Sequence, residues 1–248
     1  MDISVEFKPF SVSKDTQKLL NLGNIRIFLT GTLGDKDKFC KWNDINPDET
    51  YYIYEKSPFD VSKRPIYGEF VGSMSGKRGN VPKWKNKKAL SKIKKLIDKH
   101  NGENGVIHTS SNEQAYWIIE NLKECNLRFV GGSDRNQVLR EFKESNENII
   151  LIGASIKDGV DFKGDLCRFQ IIFKIPYPQL NEQVKYRKEL DSSWYYYQAV
   201  MALMQAYGRG IRDVDDYCTM YILDVDFKKL VDFNKNFFNE YFLEAIKK

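Results

Sequence analysis

No run of about 18 consecutive apolar residues occurs in the sequence, so nothing in it reads as a membrane-spanning helix. The first residues lack the basic stretch and apolar segment of a secretory leader, so the chain is expected to be intracellular, cytoplasmic or nucleoid-associated. The four cysteines, Cys40, Cys125, Cys167 and Cys218, include no Cys-x-x-Cys pair. That argues against a zinc ribbon, and the long gaps do not suggest a disulfide framework. An iron–sulfur cluster would need thiolates gathered from four distant segments, so buried free thiols are the simpler reading and no bound metal is expected. A hydrophobic share of 42% excludes a disordered tail, and 248 residues allow one large domain, or one domain with an appended segment.

A phosphate loop is missing as well. The nearest approach to G-x-x-x-x-G-K-[ST] is Gly72-Ser73-Met74-Ser75-Gly76-Lys77-Arg78. It is one residue too short, and it has Arg where the magnesium-binding hydroxyl belongs. No acidic D-E-x-H box follows an apolar strand either, since Asp48-Glu49 sits in a loop behind Asn46-Pro47.

What is present is a lopsided charge and a regular rhythm. The net charge is only +5, yet between Lys77 and Lys99 ten Lys or Arg residues face a single acid, Asp98. Such a block is either a footprint for a phosphate backbone or a solvated helix face. Within it Ala89, Ile93, Leu96 and Ile97 fall at helical spacing. Strands are expected at residues 25–30, 51–54, 66–71, 105–109, 127–130, 149–153, 167–173 and 218–223. Helices are expected at 113–125, 136–142, 193–207 and 227–246, and a Gly/Ser-rich stretch at 72–79 separates the opening segment from the rest. The apolar run at 149–153 marks a strand buried on both faces. The alternation implies an α/β fold with a parallel sheet covered by helices on both faces. In such sheets ligands sit at the carboxyl ends of the strands.

Three constellations could carry chemistry. The sharpest is Gln205-Ala206-Tyr207-Gly208-Arg209-Gly210-Ile211-Arg212. Two guanidinium forks three residues apart suit phosphate oxygens, and Gly208 would let the backbone leave a helix and approach a ligand. The same residues also fit a helix closed by a glycine, with basic groups at its negative end. The second is Asp158-Gly159-Val160-Asp161-Phe162-Lys163-Gly164, a loop that could hydrogen-bond a ribose or could be an ordinary Asp/Gly turn. The third is Thr109-Ser110-Ser111, whose hydroxyls could meet a phosphate, while Ser111 with Gln114 fits a helix-capping box.

In order and spacing these constellations resemble motifs IV, V and VI of superfamily-two helicases, in the XPD/DinG branch. There a loop E-G-x-D-F-x-G precedes a strand ending in P-x-P, here Pro176-Tyr177-Pro178, and then Q-x-x-G-R-x-x-R. Asp158 stands where that family usually has Glu. Asp216-Tyr217 and Leu223 to Phe227 resemble the closing strand, Thr30-Gly31-Thr32-Leu33 resembles motif III, and Ser57-Pro58-Phe59 a tripeptide just beyond it. The resemblance runs from about residue 25 to the end.

It implies a RecA-like second motor lobe at residues 76–248, preceded at 1–75 by the end of a first lobe and a connecting segment. Arg209 and Arg212 would be arginine fingers, and Gln205 would orient the nucleotide or the attacking water. Gly159 and Asp161 would couple the nucleotide to DNA, while Ser110 and Ser111, helped by Lys83 and Lys87, would hold a single strand. ATP with magnesium would sit mainly on the first lobe, supplied in cis or in trans, and the family's iron–sulfur cluster also belongs there. The chain is thus expected to be a fragment of a longer helicase or one subunit of a split one, with single-stranded DNA and the first lobe as partners. The alternative is a non-catalytic nucleic-acid or protein docking module.

Overall fold

The computed structural model describes residues 17, 18, 20–154, 156 and 162–247. In chain order its strands are β1 (Ile66–Gly72), β2 (Lys77–Arg78), β3 (Val81–Pro82), β4 (Gly105–His108), β5 (Leu127–Phe129), β6 (Ile150–Gly153), β7 (Phe169–Ile172) and β8 (Thr219–Asp224). The short β2–β3 pair is an antiparallel hairpin. The other six form one sheet in the order β1-β8-β7-β4-β6-β5, and every pairing in it is parallel. Strand order reverses around β4, which lies between β6 and β7. That reversal is the mark of a doubly wound RecA-like sheet.

The helices are α1 (Lys36–Asn43), α2 (Lys87–Lys99), α3 (Asn112–Asn121), α4 (Arg135–Glu144), α5 (Glu182–Leu190), α6 (Ser192–Tyr207), α7 (Asp226–Asn234) and α8 (Glu240–Leu243). Alternate side chains leave a strand on opposite faces, and both faces here are covered. Tyr221 and Leu223 of β8 pack with α2 and α3, whereas Met220 and Ile222 pack with α6 and α7. In the same way Ile150 and Ile152 of β6 join the α2–α3 side, and Leu151 meets Phe142 of α4. Every residue of β6 and β7 is buried, which explains the unbroken apolar sequence of β6 and the largely apolar one of β7, where Gln170 is the buried polar exception. Each fully buried isoleucine there contributes about 1.5–3 kcal/mol.

The basic block forms α2 as its spacing implies. Asn86 caps it by accepting from Lys88 N–H, and Ala89, Leu90, Ile93 and Leu96 face the core. Its lysines are not all free. Lys92 pairs with Glu69 at 2.6 Å, Lys94 with Glu124 at 2.7 Å, and Lys99 donates to the Tyr221 hydroxyl at 3.1 Å.

Several expected elements are absent or broken. Residues 25–30 and 51–54 form no strand, because no neighbouring strand among the described residues offers them a ladder. They lie exposed instead, Ile25 at 85%, Leu29 at 91% and Tyr51 at 90%. The helix expected over 227–246 breaks after Asn234 into a short turn and α8. Asn239 restarts it by accepting from Phe242 N–H, and the chain end then runs beside β1, with Lys247 N–H donating to Ile66 O at 2.9 Å. The Gly/Ser-rich stretch is no plain separator, since β1 before it belongs to the main sheet and its end opens the β2–β3 hairpin.

The segment before β1 is docked on α6 through α1. Trp42 meets the Tyr197 ring edge-on at 4.6 Å, and the Tyr197 hydroxyl donates to Leu33 O. Asp191, at the start of α6, accepts from Lys41 Nζ at 2.9 Å, Trp42 Nε1 at 3.3 Å and Ser193 N–H at 3.0 Å. Burial pushes the Asp191 carboxyl up, but the hydrogen bonds from Ser193, Lys41 and Trp42 outweigh this and hold it well below the usual carboxylate range. A depressed folded-state pKa adds stability above the unfolded value near 4, lost as pH falls toward the lower folded value. The docking of α1 is therefore expected to loosen below about pH 4, read as faster amide exchange at residues 36–43. Asp191→Asn should abolish that pH dependence, and equal acid sensitivity in the variant would remove Asp191 as its cause.

Candidate functional site

α6 ends at Tyr207, and the loop that follows drops onto the sheet. Gly208 closes the helix at φ −67°, an ordinary right-handed angle, and a Cβ there would meet nothing nearer than Met204 O at 3.5 Å. The freedom of a glycine is not needed at that point. It is needed at Gly210, whose added Cβ would lie 2.4 Å from Cys218 Sγ and 2.8 Å from Gln170 Nε2. Gly210 therefore lets the arginine loop pass directly over the starts of β7 and β8. Beyond it, the buried Asp216 carboxylate accepts from Arg212 N–H at 2.9 Å and Asp213 N–H at 3.0 Å. Arg168 stands 3.7 Å from Asp216. The turn that carries Arg212 is thus fixed by one carboxylate.

Gln205, Arg209 and Arg212 line a cleft of about 660 Å³ together with Gly31, Thr32, Ser57 and Phe59. Three segments far apart in sequence, each singled out by its motif, therefore meet in space. Arg209 is half-buried, while Gln205 and Arg212 are exposed. Since Gly210 sits on Cys218 just ahead of β8, the cleft lies toward the amino ends of the strands rather than at the expected carboxyl edge.

The cleft floor rests on a residue that pattern reading missed. Arg64, just ahead of β1, is 1% exposed. Its Nε donates to Phe59 O at 3.2 Å and its Nη1 to the Tyr207 hydroxyl at 3.1 Å. It also donates to Tyr241 O and Glu244, and stacks 3.8 Å over the Tyr241 ring. The Tyr207 hydroxyl donates back to Arg64 O at 2.7 Å. Phe59, Tyr207 and Tyr241 all line the cleft. In the sequence Arg64 is only the second of two adjacent basic residues, Lys63-Arg64, with no motif around it.

The third constellation lies elsewhere. Ser111 caps α3, accepting from Gln114 N–H at 3.4 Å, and Gln114 Oε1 accepts from Ser110 N–H at 2.9 Å. This is the capping box displaced by one residue on its return bond. Ser110 lines a second cavity, at the carboxyl ends of β4 and β7. Lys83 and Lys87 are exposed and line neither cavity. Gly159 and Asp161 lie outside the described residues, as does Asp158. Cys167 and Cys218 are buried side by side with their sulfurs 3.9 Å apart, while Cys40 approaches Thr50 and Cys125 borders the α2–α3 core.

A doubly wound, all-parallel sheet with helices on both faces is a RecA-like α/β fold. Residues 83–241 match the helicase C-terminal domain family, and the chain belongs to that family. Among curated proteins it is similar to the ATP-dependent DNA helicase CHL1 of Candida albicans, 24% identical over 216 residues that cover 74% of this chain and 23% of that protein. It is also similar to CHL1 of Saccharomyces cerevisiae, 25% identical over 149 residues, which are 50% of this chain and 17% of that protein. In fold it resembles a solved apo XPD, with a TM-score of 0.68 and 22% identity over 92% of this chain and 49% of that one. Xpd4 of S. tokodaii superposes with a TM-score of 0.60 and 16% identity, over 95% of this chain and 47% of that one. The chain thus spans less than a quarter of those curated relatives, 23% and 17%.

Proposed function

We propose that this chain is the second motor lobe of an ATP-dependent DNA helicase and works only with a phosphate-loop lobe. The observation that carries the reading is the convergence of Gln205, Arg209 and Arg212 with Gly31 and Thr32 on one cleft. In this reading Arg209 and Arg212 face the terminal phosphate of an ATP held by the other lobe. Their fixed, planar charge stabilises the oxygens on which negative charge builds during phosphoryl transfer. Gln205 orients the nucleotide or the attacking water. The magnesium that accompanies ATP is assigned to the other lobe, because among the described residues the cleft lining offers one carboxylate, Glu55.

The exposed apolar runs near residues 22–29 and 51–54 support a companion lobe, since surfaces of that kind mark an interaction face. Residues 1–75 are assigned to the end of that first lobe and the connecting segment, with β1 carried into the sheet of the second. Ser110 and Ser111 contact a single strand, and Lys83 and Lys87 attract its backbone. Gly159 and Asp161 keep, from the motif alone, the role of linking nucleotide to strand.

The test begins with the purified chain. It should bind single-stranded DNA with an affinity that falls as salt rises, and should not turn over ATP with or without DNA. Replacing Lys83 and Lys87 together by Ala should flatten the plot of log affinity against log salt by about 0.7 per lysine. An unchanged slope would return the basic block to a solvated helix face. DNA-stimulated turnover by the chain alone would overturn the half-site reading. Turnover with a phosphate-loop lobe that is indifferent to Arg209 would favour a docking module.

A further inference from the structure

Two thiols stand just ahead of β7 and β8, which run side by side in the sheet. Cys167 and Cys218 are both free and buried, and their sulfurs lie 3.9 Å apart in a core shared with Val106, Phe162 and Ile211. A disulfide holds its sulfurs about 2.05 Å apart. Turning the two side chains toward each other on these adjacent segments closes that gap. The surroundings of the two sulfurs differ. Cys167 Sγ donates to Phe169 O at 3.4 Å. Burial, and then the Cys218 sulfur beside it, push the Cys167 thiol well up. Cys218 Sγ instead accepts from Gln170 Nε2 at 3.7 Å. It also follows a turn, residues 212–215, whose members are all exposed. An oxidant that enters by this turn meets Cys218 first.

The arginine loop rests on the same sulfur. A Cβ at Gly210 would lie 2.4 Å from Cys218 Sγ and 2.7 Å from Cys218 Cβ. Gly210 directly follows Arg209 and stands two residues before Arg212. Turning Cys218 Sγ toward Cys167 removes that support and breaks the contact with Gln170.

We propose that Cys167 and Cys218 are a redox modification site, closed to a disulfide by hydrogen peroxide, and that the closure displaces the arginine loop. The Cys218 sulfur attacks one peroxide oxygen, the O–O bond breaks, and the other oxygen leaves as water with the thiol proton. The Cys167 sulfur then displaces hydroxide from the sulfenic sulfur, and its proton leaves with that hydroxide as a second water. The two thiols together lose two electrons, which reduce the peroxide to water. A dithiol reductant reopens the bond by exchange. The site itself is independent of the motor reading, and only its effect on ATP turnover rests on that reading.

The experiment treats the full chain with hydrogen peroxide and follows intact mass, free thiols, linked peptides and amide exchange, for the parent and for Cys218→Ala and Cys218→Ser. The parent should lose the mass of two hydrogens and two of its four free thiols, with a peptide pair joined through Cys167 and Cys218. Exchange at residues 209–213 should become several-fold faster and return to its starting rate with dithiothreitol. In either Cys218 variant peroxide should leave that rate unchanged. Oxygen added at Cys125 while Cys167 and Cys218 stay reduced would make the pair packing alone and overturn the proposal. So would a Cys167–Cys218 bond that leaves exchange at 209–213 as it was, or equal acceleration in the Cys218 variants. With a phosphate-loop lobe present, oxidation should lower turnover several-fold, reversibly. Turnover that needs Arg209 yet ignores oxidation would count against displacement of the loop. Turnover indifferent to both would refute the motor reading and leave the thiol pair standing.

Discussion

In the complete two-lobe motor, Arg209→Ala is expected to lower ATP turnover by about 10³–10⁵-fold, the span seen when an arginine finger is lost, while binding to single-stranded DNA stays within a few-fold of the parent. The magnitude follows from where the charge sits. Phosphoryl transfer needs little covalent help from the protein, so stabilising the equatorial oxygens is most of what a second lobe can contribute. Arg209 is half-buried in the cleft wall, one residue before Gly210, which is pinned over Cys218. Its approach to a phosphate is therefore set by the sheet and not by a flexible loop. Arg209→Lys keeps the charge but loses the two-pronged fork, and should recover only a small part of the rate. Single-turnover hydrolysis with DNA present is the measurement. Normal turnover combined with lost DNA binding would remove Arg209 from the nucleotide site.

The second large effect is on stability. Arg64→Ala should cost about 3 kcal/mol, near the lower end for breaking a buried ion pair, because its partner Glu244 is 43% exposed and can regain water. The substitution also leaves the Tyr207 hydroxyl and the Phe59 and Tyr241 carbonyls without their shared donor. At about 2–4 °C per kcal/mol for a chain of this size, thermal unfolding should move down by about 6–12 °C. Arg64→Lys restores one charge but neither the fork nor the stacking on Tyr241, and should fall between. An Arg64→Ala protein that melts with the parent would show that the tyrosine cluster holds the cleft floor without it.

Much of this architecture was legible in the sequence. The buried strands β4, β6, β7 and β8 announce themselves because both faces are covered, so their sequences are largely apolar, with the buried Gln170 of β7 as an interruption. Helix α2 was legible because Ala89, Ile93 and Leu96 repeat at the helical period while lysines fill the gaps. What pattern could not supply was partnership. Residues 25–30 have the composition of a strand, yet a strand exists only beside another, and none lies beside them among the described residues. Nothing in the sequence marks helix α5, because none of its residues is buried and it has no periodic apolar face. The site divides in the same way. Gln205, Arg209 and Arg212 declared themselves through their spacing. Arg64 did not, since it acquires its meaning from Tyr207, Tyr241 and Glu244, far away in the chain. Gly208 looks the more significant glycine in the sequence because it ends a helix, whereas the crowding that requires Gly210 comes from Cys218 and Gln170, distant in the chain.

Helix α6 has a consequence of its own. Its 16 residues form a rod of about 24 Å. Met204, Gln205 and Tyr207 on it face the arginine cleft, while Gln198, Ala202 and Ala206 face the cavity beyond β4 and β7. One stiff body is a wall of both chambers, and close packing on the sheet leaves it little room to bend. The two chambers therefore cannot change shape independently. A roll of this single axle that widens one would reposition the wall of the other.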